Sequence, residues 1–99
     1  MTFLLLTENA ELGKTLAKLL KRLDADSLPI IMAPGDLRDS LQTIRVDCVV
    51  HPASMPCEAE RALCPGPCFL PWTEESVTED WARSLLHRAA RRKTERNFV

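Results

Sequence analysis

The side chains best suited to chemistry in this sequence are four cysteines and two histidines. His51, Cys57, Cys64 and Cys68 fall in the run His-x5-Cys-x6-Cys-x3-Cys, and thiolate with imidazole is a donor set that zinc prefers. The common zinc knuckles want Cys-x2-Cys pairs, which this run lacks. The competing reading makes Cys48 a small core residue in a strand and the other three loop or helix thiols, and no metal is expected. Four cysteines permit three pairings if all are oxidised, and a Cys64–Cys68 disulfide is a further alternative.

A second motif lies near the N-terminus, where Glu8-x4-Gly13-Lys14-Thr15 follows an apolar run. A phosphate-binding loop would read Gly-x4-Gly-Lys-[Ser/Thr] at that place. The carboxylate that replaces its leading glycine repels phosphate where backbone amides should cradle it. Triphosphate hydrolysis is therefore set aside, and Lys14 and Thr15 read as solvent-facing helix residues. His51, at a strand end, has no serine or cysteine nucleophile with a third orienting group in view and reads as a hydrogen-bonded structural histidine. His87 falls toward the polar side of a helix. Arg88, Arg91, Arg92, Lys93 and Arg96 form a basic end without interleaved aromatics, the pattern of a charged helix terminus rather than a nucleic-acid surface.

The elements that must position these residues alternate between two periods. Thr2 to Thr7 is continuously apolar apart from its ends, as expected of a strand buried on both faces of a parallel sheet. From Ala10 to Leu23 the period becomes helical: Leu12, Leu16, Leu19, Leu20 and Leu23 share a stripe, and Thr7 or Asn9 can cap it. Leu28 to Ala33 is a second strand whose Pro29 belongs near a strand start or a sheet edge. Asp36 starts a short helix that faces inward through Leu37, Leu41 and Ile44, and Val46 to His51 is a third strand. This strand–helix alternation is the pattern of right-handed βαβ crossovers.

Five of the seven prolines then crowd residues 52–71, a loop-rich connection around one short helical stretch, Cys57 to Leu63, and a short strand, Cys68 to Leu70. Ser76 and Glu79 fit a capping box, followed by a helix to about Arg92 with Val77, Trp81, Leu85 and Ala89 on its apolar face. Asn97, Phe98 and Val99 either begin a last strand or fray. No internal repeat or low-complexity tract interrupts the chain.

At 99 residues the chain has length for one domain, residues 1–99, and its 45% hydrophobic content excludes a disordered tract. Its net charge of -1 gives no support to a polyanion-coating or membrane-surface role. The longest N-terminal apolar run is too short to cross a bilayer and has no signal-peptide flanks. A cytoplasmic location is expected, with reduced thiols. There is no tyrosine, so chemistry that needs a phenol is excluded.

Two resemblances follow from these segments. Leu6 to Ala17 resembles the first βα unit of the short-chain dehydrogenase/reductase superfamily, Thr-Gly-x3-Gly-x-Gly. Gly35-Asp36-Leu37-Arg38-Asp39 resembles its Gly-Asp-x-x-Asp, and Asp47 to Ser54 resembles the Asp-x-Val-Val-His-x-Ala segment of its epimerase-like branch. The resemblance implies NAD or NADP as cofactor, with Asp36 near the base and Thr7, Asn9, Gly13, His51 and Ala53 along the cofactor groove. Of the three glycines only Gly13 is present, and the family's Tyr-x-x-x-Lys pair lies beyond the segment matched. Thr7 to Leu12 followed by Leu16 to Leu23 also resembles the first loop and helix of response-regulator receiver domains, and Asp47 to Pro56 is similar to their third strand and its Met-Pro ending. There Pro52 falls where the phosphoacceptor aspartate belongs, and Glu8 alone remains of the metal-binding acid pair.

The expectation is a small three-layer Rossmann-like α/β domain, with a short parallel sheet and helices on both faces. Its expected role is a non-catalytic binding or assembly module that retains at most weak NAD(P)-type binding. The alternative is a degenerate receiver-like domain acting through protein–protein contact. A short sheet with an unpaired edge points to a homo-oligomer or another protein as partner; no nucleic acid or membrane partner is expected.

Overall fold

Phe3, Leu4, Leu5 and Leu6 are all fully buried, which a strand can achieve only if both of its faces are covered. In the computed structural model they lie in strand β1 (Thr2–Leu6). The structure describes residues 1–64, 66–73, 75 and 77–97, with the backbone alone at 93 and 95–97. Phe3 and Leu5 point to one cluster, Leu4 and Leu6 to another.

β1 is also paired on both edges. It runs parallel to β2 (Leu28–Met32) with Thr2 opposite Leu28 and Leu6 opposite Met32. On its other side Phe3 lies opposite Cys48 of β3 (Cys48–Pro52), and β3 in turn pairs in parallel with β4 (Cys68–Trp72), Cys48 opposite Cys68. The order is β2-β1-β3-β4. The chain thus steps one way from β1 to β2, then back past β1 to reach β3. Right-handed crossovers turn that reversal into helices on opposite faces.

Helix α1 (Ala10–Leu23) buries Leu16 and Leu20 on one face, beside Ala82, Leu85 and Ala89 of α4 (Glu79–Asn97). The other face carries Leu37 of α2 (Leu37–Thr43). α3 (Glu58–Leu63) lies on that side too, where Arg61 sits 5.6 Å from the Phe69 ring centroid and Glu60 meets Arg38 of α2 at 3.7 Å. The result is the expected three-layer Rossmann-like α/β architecture with a short parallel sheet. Among the described residues no helix is long and apolar enough to cross a membrane.

Local chemistry fixes the element ends. Asn9 caps α1, its side chain accepting from Leu12 N at 3.3 Å, while Thr7 Oγ1 accepts from Asn9 N at 2.9 Å and shapes the turn before it. Asp47, just ahead of β3, accepts from Thr2 N at 2.8 Å through its side chain, and its own N–H donates to Thr2 O at 2.9 Å. That carboxylate ties β3 to the start of β1.

Several boundaries differ from the sequence reading. The second helix is preceded by a 3-10 turn, Pro34–Asp36, so Asp36 ends that turn and α2 begins at Leu37. β3 begins at Cys48 rather than Val46, and β4 continues to Trp72. Ser76 of the expected capping box lies outside the described residues; at the start of α4, Thr78 Oγ1 accepts from Trp81 N at 3.2 Å. α4 extends to Asn97, which is therefore helical and not the start of a strand. Phe98 and Val99 lie outside the described residues.

Gly13 has a packing role. A Cβ there would stand 2.9 Å from Ile31 Cγ2 and 3.1 Å from Thr7 Cγ2, so α1 approaches β2 more closely than a side chain permits. Overpacking of this kind costs about 1–3 kcal/mol, against about 1 kcal/mol gained from alanine's helix propensity. Gly13→Ala is therefore expected to lower unfolding free energy by about 1 kcal/mol, and to become neutral or stabilising once Ile31→Ala removes the nearest obstruction. Urea titration of both variants and of the double variant checks this; equal losses in the two backgrounds would refute the close-approach explanation.

Candidate functional site

A groove of about 590 Å³ opens where the carboxyl ends of the strands meet. In open α/β sheets ligands settle at the point where the strand order reverses, here between β1 and β3. The loop after β1 supplies Thr7, Glu8 and Asn9, the loop after β3 supplies Pro52 to Met55, Pro34 forms one lip, and Trp72 and Thr73 end the wall at β4. Trp72 is held rigidly: its Nε1 donates to Leu6 O at 3.2 Å, and its ring stacks on Trp81 with centroids 6.5 Å apart.

Three of the six residues assigned to a cofactor groove, Thr7, Asn9 and Ala53, line this one. The other three do not. Gly13 is buried inside α1 against β2, where it resembles only the last glycine of a dinucleotide loop, the one required for close helix–strand packing. Asp36 is exposed at the end of the 3-10 turn behind Pro34. His51 faces a separate depression on the α3 side, lined also by Cys57, Glu58 and Arg61. Trp72 and Thr73 were missed, because the sequence signal for β4 ended at Leu70.

The groove is poor in reactive groups. Glu8 is the single ionisable side chain among the described residues that line it, so the field there is negative. The hydroxyl of Thr7 and the side-chain oxygen of Asn9 are engaged in shaping the turn and capping α1. Lys14 and Thr15 of the supposed phosphate loop turn back on α1: Lys14 Nζ lies 3.6 Å from Glu11, and Thr15 Oγ1 donates to Glu11 O at 2.9 Å. A pyrophosphate would meet a carboxylate and no glycine-lined backbone.

The cysteines are distributed differently from their spacing in the sequence. All four are free, and among the described residues no three His, Cys, Asp or Glu side chains converge on a point that would hold a metal ion. Cys57 packs on the α2 face and Cys68 on the α1 face, so the sheet itself separates members of the run. Cys48 and Cys68 lie side by side instead.

His51 is 6% exposed, with Nδ1 2.9 Å from the Pro52 carbonyl and Nε2 buried without a partner among the described residues. A carbonyl only accepts, so Nδ1 carries a proton in this bond. Long-range ¹H–¹⁵N spectra at neutral pH are expected to show the Nδ1–H tautomer for His51, whereas the Nε2–H tautomer would contradict the carbonyl bond. The chain matches no protein-family model, no curated protein and no solved structure.

Proposed function

We propose that this chain is a non-catalytic α/β binding and assembly module of receiver-like design, acting through contact with another protein and not through phosphorylation or hydride transfer. The observation that carries the reading is the strand order β2-β1-β3, which sets the loops after β1 and β3 side by side around one groove. The first half of a dinucleotide fold would instead run 3-2-1. In the receiver resemblance Pro52 stands at the phosphoacceptor position, and Pro52 and Glu8 both line the groove. Pro52 has no group to accept a phosphoryl, and Glu8 alone is a weak set of ligands for magnesium.

The assembly half rests on β2. This edge strand reads Leu-Pro-Ile-Ile-Met without a charge, and Leu28 and Ile31 are 52% and 37% exposed. Natural edges are usually blunted by charge, proline or a cover; Pro29 blunts only the start of this one, and the uncharged stretch from Ile30 to Met32 is what a second copy of the chain fits. The chain is expected to be a dimer by light scattering, and Leu28→Lys to return it to a monomer with an unchanged circular dichroism spectrum. A monomer at high protein concentration would remove the assembly half.

NAD or NADP binding is the second reading, favoured by the glycine-dependent approach of α1 to β2. Because Trp72 borders the groove, its fluorescence reports occupancy. Titration with NAD and NADP is expected to leave the emission unchanged through the micromolar range; saturable quenching there would replace the receiver-like reading with a nucleotide-binding one.

A further inference from the structure

Cys48 and Cys68 begin their strands at the end of the sheet opposite the groove, away from its lining. They are direct partners in the β3–β4 register, and both face the α1 and α4 layer. Neighbouring strands lie about 4.8 Å apart, within the span of roughly 4.4–6.8 Å between Cα atoms that a disulfide bridges. Cys48 is fully buried, whereas Cys68 is partly exposed.

The surroundings divide the two thiols by role. The neighbouring Cys48 thiol favours the Cys68 thiolate most; burial opposes it, and Arg92, Arg88 and Arg61 add positive potential, bringing Cys68 down to about 7. The nearness of Cys68, burial and the negative charge of Cys68 and Asp47 push Cys48 up. A partly exposed thiol whose ionised form is favoured thus lies beside a buried one across the strand pair, the arrangement of a reactive cysteine beside a resolving one.

We propose that Cys48 and Cys68 form a redox-sensitive pair that a hydroperoxide converts to a cross-strand disulfide, Cys68 reacting first and Cys48 resolving. The Cys68 thiolate attacks one peroxide oxygen; the O–O bond breaks, hydroxide leaves and takes a proton to become water, and Cys68 becomes a sulfenic acid. Cys48 then gives up its proton, its sulfur bonds to that of Cys68, and the S–O bond breaks as water departs. Two thiols and one hydrogen peroxide give one disulfide and two waters, the two electrons passing from sulfur to peroxide.

The test treats the reduced full chain with one equivalent of hydrogen peroxide, blocks remaining thiols in acid and maps the disulfide by peptide mass. The expected product is an intramolecular Cys48–Cys68 bond, reversed by dithiothreitol. Cys68→Ala is expected to slow peroxide-dependent thiol loss about fivefold near neutral pH. In Cys48→Ala a sulfenic acid should persist on Cys68 and be captured by a cyclic dione. A disulfide involving Cys57 or Cys64, a covalent dimer, or direct conversion of Cys68 to sulfinic acid in the unaltered chain would each overturn the proposal, and this mapping does not depend on either variant folding.

Discussion

Everything in this molecule is arranged around β1, a strand with no free edge and no free face. Its four apolar residues from Phe3 to Leu6 are fully buried, and at about 1.5–3 kcal/mol for each such side chain they form the largest block of apolar burial in a single element. Satisfying both edges requires one partner on each side. Right-handed connections to partners on opposite sides then require helices on both faces. The groove is a by-product: where two chain directions diverge from β1, the following loops cannot close over one another. A site at the switch point needs no dedicated residues, which explains how a groove can exist with Glu8 as the single ionisable side chain among its described lining residues.

Much of this was legible in the residues themselves. The unbroken run at Phe3 to Leu6 required two covered faces, and the leucine stripe of α1 announced a helix whose ends fall where the periodicity gives out. Strand order was not legible, because it depends on which edge of β1 each later strand finds. The candidate site was half legible: Thr7, Asn9 and Ala53 follow strand ends and so reach the groove. Gly13 was read toward phosphate when its constraint is the nearby Ile31 side chain. The prolines between residues 52 and 71 obscured the rest. They masked a full strand ending at Trp72, whose indole crosses toward β1 to bond the Leu6 carbonyl.

The cysteines show a similar limit more sharply. Spacing along the chain grouped His51 with Cys57, Cys64 and Cys68, yet two of those thiols face opposite sides of the sheet. Cys48 and Cys68, separated by a helix and two proline-rich loops, become direct neighbours through a register that no local pattern encodes. A slip of one residue would turn Cys68 to the other face. Thiol chemistry here is consequently a property of the β3–β4 pairing, and only secondarily of the residues near each cysteine in the chain.

The placement of β1 between partners that both follow it in sequence has a consequence for biosynthesis. During translation the most apolar strand is complete before either neighbour exists, and its second edge stays open until residues 48–52 have left the ribosome. α1 can fold locally and β2 can close the first edge, but the span from β1 to β3 must be synthesised before the second is covered. Non-local parallel pairing of this kind is intrinsically slow and exposed to aggregation. The nascent chain is thus most vulnerable in the interval between its second and third strands, when Phe3 to Leu6 has one bare edge and a second face that α2 is only beginning to cover.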